Sequence, residues 1–174
     1  MSAARWGTVA TPDGAFTVLA DADSVLASGW TDDVASLLPL VHPSLRSAPD
    51  RADGDALDQA LTAVVAYYDG DLAAPGRVAV RQRSGSFQGH AWEVLRTVTA
   101  GERITYTEYA ARAGRPAAVR AAAAACAANA AALFVPCHRV LRSDGSLGGF
   151  RYGLAVKARL LEREGFLPAG PTLF

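Results

Sequence analysis

The sequence predicts two domains, an N-terminal α/β domain followed by a mostly helical domain. The first half alternates short apolar stretches with turn residues, whereas the second half repeats apolar residues at helical spacing. The charge also changes sign: residues 1–84 carry six Arg and eleven Asp, a net charge of −5, and residues 85–174 carry +5. We therefore place the boundary between residues 84 and 85, inside a polar, glycine-containing linker. The charge split suggests that one half faces a polyanion, unless the charges simply fall unevenly.

The first domain is expected to be a β-meander with a helix, and nothing in it concentrates catalytic residue types. Turn residues at Pro12-Asp13-Gly14 and Asp21-Ala22-Asp23-Ser24 separate the apolar stretches. Helical spacing predicts a helix over residues 57–68, stopped by Asp69-Gly70, and a weaker one over 34–41. The predicted strands cover residues 6–11, 15–20, 25–30 and 78–80.

The second domain is predicted to contain a helix-turn-helix. After a helix over residues 87–98, Thr105 and Glu108 stand three apart in a capping box, and Gly114 ends the helix that they begin. Pro116 suits the first turn of the next helix, which continues through an alanine tract to residue 128. Two short helices joined in this way are typical of DNA-binding proteins. A short strand over 133–135 and a last helix over 154–164 complete the prediction.

Cys137 and His138 place a thiol beside an imidazole, which favours a reactive thiolate. A zinc ion needs about four ligands at chelating spacings, and these adjacent residues do not suit one ion. We therefore expect no metal and no cofactor. A papain-like hydrolase needs a remote histidine, but His42 and His90 have no supporting neighbours. The remaining alternative for Cys137 is a buried structural cysteine, which is the role we expect for Cys126.

Composition excludes several classes of protein. The hydrophobic share is 51%, yet no apolar run approaches the ~20 residues of a membrane span. The first residues lack the apolar stretch of a secretion signal. Two cysteines are too few for a disulfide framework. We expect a cytoplasmic protein without a membrane partner.

Ordered motifs extend from residue 85 to residue 165. The run Pro136-Cys137-His138-Arg139-Val140 precedes Leu147-Gly148-Gly149-Phe150, and a helix with Lys157 and Leu160-Leu161 follows. Further matching positions are Phe87, Gln88, Trp92, Thr105, Tyr106, Arg120 and Asn129. Together these motifs resemble the O6-alkylguanine-DNA alkyltransferases. The resemblance implies a ribonuclease H-like N-terminal domain and a winged helix-turn-helix-like DNA-binding domain that carries the cysteine.

The function implied by the resemblance is DNA repair by a single-turnover methyltransferase. Such a protein transfers the alkyl group, chiefly methyl, irreversibly from O6 of guanine in double-stranded DNA to its cysteine, here Cys137. The base must be flipped out of the duplex first. Whether O4 of thymine is also a substrate stays open. One-to-one repair needs no second subunit, so we expect a monomer.

The resemblance also implies roles for individual residues. Glu164 would hold His138, which would take the proton of Cys137 through a water molecule. Tyr106 would act on the DNA backbone, and Arg120 would fill the vacated base stack. Catalytic roles are implied for Cys137, His138, Glu164, Asn129 and Tyr106, DNA contacts for Arg120, Tyr106, Ala121, Ala122 and Arg139, and pocket positions for Pro136, Gly148, Gly149, Phe150 and Tyr152. Without the resemblance, Glu164 reads as a solvated helix end, Asn129 as a helix C-cap, and Tyr106 and Arg120 as surface residues.

Three positions depart from the family pattern. Ala130 replaces the usual proline after Asn129, so that turn is expected to be less constrained. Phe150 replaces a common tyrosine, and Tyr152 replaces a small residue at the alkyl pocket. A bulky ring at Tyr152 predicts a preference for methyl over benzyl adducts.

Two competing functions are weighed against repair. A non-catalytic alkyltransferase-like protein would bind the lesion without the reactive cysteine, which this chain has at Cys137. A thiol hydrolase unrelated to DNA would need neither the helix-turn-helix nor the positive charge of the second half.

Overall fold

The computed structural model describes residues 3–166, and within this range the chain divides into two compact units. The residues up to Ser84, together with Ala130–Val135, form the first unit. Gly85–Asn129 and the described residues from Pro136 onward form the second. The first division therefore falls where the charge changes sign. Six residues from the C-terminal half of the sequence belong to the first unit.

The first unit is built on a three-stranded antiparallel sheet, as the sequence predicts. Strands β1 (Arg5–Thr11), β2 (Gly14–Ala20) and β3 (Val25–Gly29) lie in the order β1-β2-β3. The β1–β2 turn is tight, because Thr11 pairs directly with Gly14, whose φ of +106° suits only glycine. β2 and β3 carry the centre of the unit, since every residue of β3 is buried.

Helix α1 (Asp55–Tyr68) confirms the helix predicted over residues 57–68. It buries a stripe of apolar and aromatic side chains, namely Leu57, Ala60, Ala63, Val64 and Tyr67. The helix predicted over 34–41 is wrong. Two short 3₁₀ turns stand there instead, Val34–Ser36 and Leu38–Leu40, and two more follow at Pro43–Leu45 and Ala74–Arg77. Pro39 would lie inside a helix over residues 34–41, where it lacks the amide donor that the helix requires and its ring clashes with the preceding turn.

The strand predicted over 78–80 is also wrong, since only Val80 forms a bridge there, with Val25. The strand predicted over 133–135 is a turn in which Leu133 has a φ of +75°. That turn is held by Ser28, whose amide donates to Ala130 O at 2.9 Å and whose hydroxyl donates to Ala132 O at 2.7 Å. The amide of Ala130 donates to Gln82 Oε1 at 3.0 Å, a bond that the family's proline cannot make.

The second unit is mostly helical, with one short parallel pair of strands. Strand β4 pairs with β5 through Ile104–Val140 and Thr105–Leu141. The elements in chain order are α2 (Ser86–Leu95), β4 (Ile104–Thr105), α3 (Tyr106–Arg112), α4 (Val119–Ala128), β5 (Val140–Leu141) and α5 (Leu154–Arg163). The helix predicted over 154–164 is thereby confirmed to within one residue.

Helix α3 has the ends that the sequence predicts. The Glu108 amide donates to Thr105 Oγ1 at 3.1 Å, which caps the N-terminus. At the other end Gly114 has a φ of +88°, and Arg115 N donates back to Ala110 O at 3.0 Å, a Schellman motif. The placement of Pro116 inside α4 is wrong, because that helix begins at Val119.

Across residues 3–166, no helix is both long enough and apolar enough to cross a lipid bilayer.

Candidate active site

The site forms around Cys137, the first residue of a 3₁₀ turn (Cys137–Arg139) that leads into β5. Its side chain is partly buried. Asn129, the C-cap of α4, donates from Nδ2 to Cys137 Sγ at 3.3 Å and is only 1% exposed. Asn129 is therefore both a helix cap and a thiol ligand. Through it, the end of α4 touches the sulfur.

A buried carboxylate joins the next two residues. Nε2 of His138 donates to Glu164 Oε2 at 2.8 Å, which leaves the lone pair of the neutral ring on Nδ1. Arg139 donates to both Glu164 oxygens, at 2.7 Å and 3.2 Å, and to the carbonyl of Val98 at 2.6 Å. Within residues 3–166 no group hydrogen-bonds to the buried Nδ1 of His138. The site thus presents an imidazole whose basic nitrogen is available.

Burial sets the protonation states of these groups. It raises the pKa of the Cys137 thiol, although the Asn129 hydrogen bond and the charges of Lys157 and Arg151 oppose the rise. Burial lowers the pKa of His138 despite Glu164, so the imidazole is neutral. Burial alone would raise the pKa of Glu164, but His138 and Arg139 hold it below its usual range. Burial therefore favours the thiol form of the resting sulfur, whereas the Asn129 hydrogen bond and the two nearby charges favour the thiolate.

Lys157 holds the glycine-rich loop that follows β5. Its ammonium is 1% exposed and donates to Val140 O at 2.8 Å, to Leu147 O and to Gly149 O at 3.3 Å. Burial lowers its pKa to about 8. One buried cation therefore fixes β5 and the glycine-rich loop that follows it.

Three aromatic side chains, those of Tyr106, Phe150 and Tyr152, lie on or against the segment that follows β5. A Cβ atom on Gly148 would lie 3.2 Å from Tyr106 Cε2, so glycine lets the ring of Tyr106 lie against the loop backbone. Burial raises the pKa of Tyr106 to about 12, so its hydroxyl is neutral. The rings of Phe150 and Tyr152 meet edge to face at 5.8 Å. Pro136, just before the thiol, is buried.

The exposed face of α4 differs from the predicted set of DNA contacts. Arg120 and Ala121 are exposed, as are Ala124 and Ala127 one and two turns on. Ala122 is fully buried, because a residue two positions from Arg120 lies on the opposite side of the helix. Its placement among the DNA contacts is corrected accordingly.

Arg139 is also removed from the predicted DNA contacts. Its side chain is 9% exposed and is occupied by Glu164 and the Val98 carbonyl. A guanidinium held in this way stabilises the buried carboxylate and cannot reach a phosphate.

Comparison with known proteins identifies the family. Residues 86–166 match the model of the 6-O-methylguanine DNA methyltransferase DNA-binding domain. The methylated-DNA–protein-cysteine methyltransferase of Methanothermobacter thermautotrophicus is 34% identical over 138 residues, which span 78% of this chain and 77% of that protein. This chain belongs to the methylated-DNA–protein-cysteine methyltransferase family.

Other relatives differ in how much of their length they share with this chain. The bifunctional transcriptional activator/DNA repair enzyme Ada of Escherichia coli is 40% identical over 133 residues, and the match spans 37% of its length. The O6-methylguanine methyltransferase of Mycobacterium tuberculosis superposes with a TM-score of 0.73 at 29% identity, covering 98% of this chain and 97% of that one. A structure of OGT from the same organism in complex with DNA gives 0.74 at 28% identity, covering 92% and 93%. The mixed α/β fold of the methyltransferase family is therefore present.

The candidate site brings most of the predicted residues together. Cys137, His138, Glu164 and Asn129 are joined as described, and Tyr106 lies against the pocket loop. Sequence reasoning assigned no role to two contributors: Lys157, which it named only as part of a motif, and Arg151. The sequence did contain a signal for Lys157: it stands in the apolar stripe of the last helix, where a charged side chain must have buried hydrogen-bond partners.

The pH dependence of stability follows from the lowered pKa values of His138 and Glu164. Folded His138 has its pKa below the ordinary 6.5, so the unfolded chain binds more protons as pH falls. Its contribution to stability is therefore present above pH 6.5 and is lost below it. Glu164, depressed from 4.5, adds a second loss below that value. We expect the free energy of unfolding, measured in urea, to fall as pH drops below about 6.5.

A His138→Gln variant is the control for that titration, because it removes the group assigned to the upper step. Its unfolding free energy should change less between pH 6.5 and pH 4.5 than that of the unaltered protein. Equal slopes in this range would show that His138 is not buried in its neutral form.

Proposed function

We propose that the protein repairs DNA by moving the alkyl group, chiefly methyl, from O6 of guanine to Cys137, once per molecule. The observation that carries the proposal is the connected set Asn129–Cys137 and His138–Glu164–Arg139 in a chain of this family. Substrate is double-stranded DNA containing O6-alkylguanine, and the working form is a monomer.

The reaction begins at the sulfur. Neutral His138 has its lone pair on Nδ1, so it can accept the Cys137 proton through a water, the route that the family resemblance implies. Sγ attacks the methyl carbon, the S–C bond forms, and the C–O6 bond breaks with its electrons passing to guanine. Guanine then takes up one proton. Because the thioether of Cys137 has no route back to a thiol here, each molecule reacts once.

Asn129 and Glu164 prepare these steps. The Asn129 amide donor stabilises negative charge that develops on Sγ, and a buried donor of this kind is worth more than one in water. Glu164 fixes the His138 ring in the tautomer with a basic Nδ1. The buried Arg139 keeps Glu164 ionised.

DNA binding is assigned to the second unit, which we interpret as a winged helix-turn-helix-like domain, the first being ribonuclease H-like. Support comes from the α3–α4 pair, the exposed Arg120 at the start of α4, and the small exposed side chains behind it. Small residues let a helix approach the minor groove closely. Arg120 fills the stack left by the flipped base, and Tyr106 acts on the adjacent phosphate.

Transfer stoichiometry tests the proposal. The protein is mixed with a duplex that carries one labelled O6-methylguanine, and the label bound to protein is counted as DNA is increased. A plateau at one methyl per protein supports repair. A protein that binds the duplex without gaining label would be the non-catalytic binder, and one that does neither would contradict both assignments.

The adduct preference gives a second prediction. The ring of Tyr152 narrows the pocket, so we expect slower inactivation by O6-benzylguanine DNA than by O6-methylguanine DNA. Tyr152→Gly should reduce that difference by about tenfold or more, since pocket volume discriminates between groups of different size. Single-turnover rates with the two duplexes measure it. Equal rates for both adducts in the unaltered protein would contradict the prediction.

A further inference from the structure

Arg151 joins the pocket loop to the end of α4. Its Nη1 donates to the carbonyl of Asn129 at 2.9 Å, and its Nη2 donates to the carbonyl of Ala127. The last carbonyls of a helix lack partners within the helix, and the planar fork of arginine can bind two of them together. The positive charge also suits the negative end of the helix dipole.

The Arg151 side chain interacts with Tyr152 and with Asn129, which lie on different parts of the candidate site. Arg151 stands between Phe150 and Tyr152 in the sequence, and its charge and hydrogen bond oppose the burial that raises the pKa of Tyr152. The guanidinium of Arg151 binds the carbonyl of Asn129, and the side-chain amide of Asn129 donates to the Cys137 sulfur. The charge of Arg151 also acts on Cys137 in the direction of the thiolate.

The loop needs such a tether because its backbone is permissive. Gly148 and Gly153, on either side of Phe150–Tyr152, both have positive φ angles, +73° and +97°. Lys157 fixes the loop before Phe150 through the carbonyls of Leu147 and Gly149. Arg151 supplies the corresponding attachment after it.

We propose that Arg151 is a positioning residue: it locks the Tyr152 wall of the alkyl pocket to the end of α4, and it holds a positive charge at the carbonyl of Asn129, the residue whose amide donates to the Cys137 sulfur. The part of this proposal that concerns the preference for methyl over benzyl adducts rests on the proposed function. It assigns two separable effects to one residue: the fork positions the wall, and the charge favours the thiolate.

Two substitutions separate these effects. Arg151→Met removes the fork and the charge, whereas Arg151→Lys keeps a charge and loses the planar fork. Arg159→Met is the matched control, because it removes the same charge from an exposed position on α5. Thermal unfolding of each variant shows that it is folded.

The first measurement uses no DNA. Iodoacetamide alkylation of Cys137 is followed by peptide mass spectrometry at several pH values, and Cys126 is read separately in the same digest. Below the thiol pKa, Arg151→Met should react about threefold more slowly, because reactivity follows the thiolate fraction. Arg151→Lys and Arg159→Met should react like the unaltered protein.

The second measurement is the ratio of methyl to benzyl transfer. Both Arg151 variants should lower the ratio by about threefold or more, since a released Tyr152 admits the larger group. Arg159→Met should leave it unchanged. A normal Cys137 reactivity together with a normal ratio in Arg151→Met overturns the inference. If the unaltered protein transfers no methyl, the proposed function fails, and the DNA-free alkylation still decides whether Arg151 acts on Cys137.

Discussion

A Cys137→Ser variant is expected to bind a duplex containing O6-methylguanine but to transfer no methyl group to protein. Serine keeps the size of the side chain and can accept the Asn129 hydrogen bond. Its hydroxyl, however, has a far higher pKa than a thiol and is a much weaker nucleophile toward the methyl carbon than sulfur is. Duplex affinity should remain within about twofold at fixed salt, because phosphate contacts dominate affinity.

Cys126→Ala is the matched control for that variant. Alanine suits the alanine tract of α4, and Cys126 has no hydrogen-bonded imidazole of its own within the described structure. Methyl transfer should therefore continue. Transfer that persisted in Cys137→Ser would mean that another side chain accepts the alkyl group.

A Glu164→Gln variant is expected to lose both activity and stability. The amide can donate to Nε2 of His138, which moves the ring proton to Nδ1 and removes the basic lone pair. We expect methyl transfer to slow by about 10²-fold or more, the contribution of a positioned general base. The uncompensated charge of buried Arg139 should lower the free energy of unfolding by about 3 kcal/mol, as when one partner of a buried ion pair is removed.

Two further variants sharpen the result. Glu162→Gln makes the same chemical change at an exposed position of the same helix and should alter neither quantity. Glu164→Asp keeps the charge and should be more stable than Glu164→Gln. A Glu164→Gln protein with normal transfer and normal unfolding in urea would contradict the roles given to the carboxylate.

Local patterns predicted the regular elements well. The β1–β2–β3 meander, α1 and the capped α3 follow from turn residues, apolar spacing and the Thr105–Glu108 pair, all of which act over a few residues. The predictions that failed concern segments whose structure depends on contacts with residues distant in the sequence. The segment 133–135 has the composition of a strand, but the carbonyls of Ala130 and Ala132 just before it are bound by Ser28, about a hundred residues earlier.

The predictions for the site also succeeded where the signal was local and failed where it was not. Adjacent Cys137 and His138, and the ordered motifs around them, were sufficient to predict that the imidazole next to the thiol is hydrogen-bonded to Glu164. Burial was not readable from composition, so Arg139 was placed on DNA although it binds Glu164 inside the unit. Arg151 was missed because its partners are backbone carbonyls of α4, which carry no side-chain signature.

The acceptor role of Cys137 is tested most directly by locating the transferred methyl group. The protein is reacted with a duplex containing isotopically labelled O6-methylguanine, digested, and its two cysteine peptides are fragmented in the mass spectrometer. We predict one labelled methyl on the sulfur of Cys137, at one per molecule, and none on Cys126. A labelled Cys126, or an unlabelled protein after the methyl has left the DNA, would contradict the account.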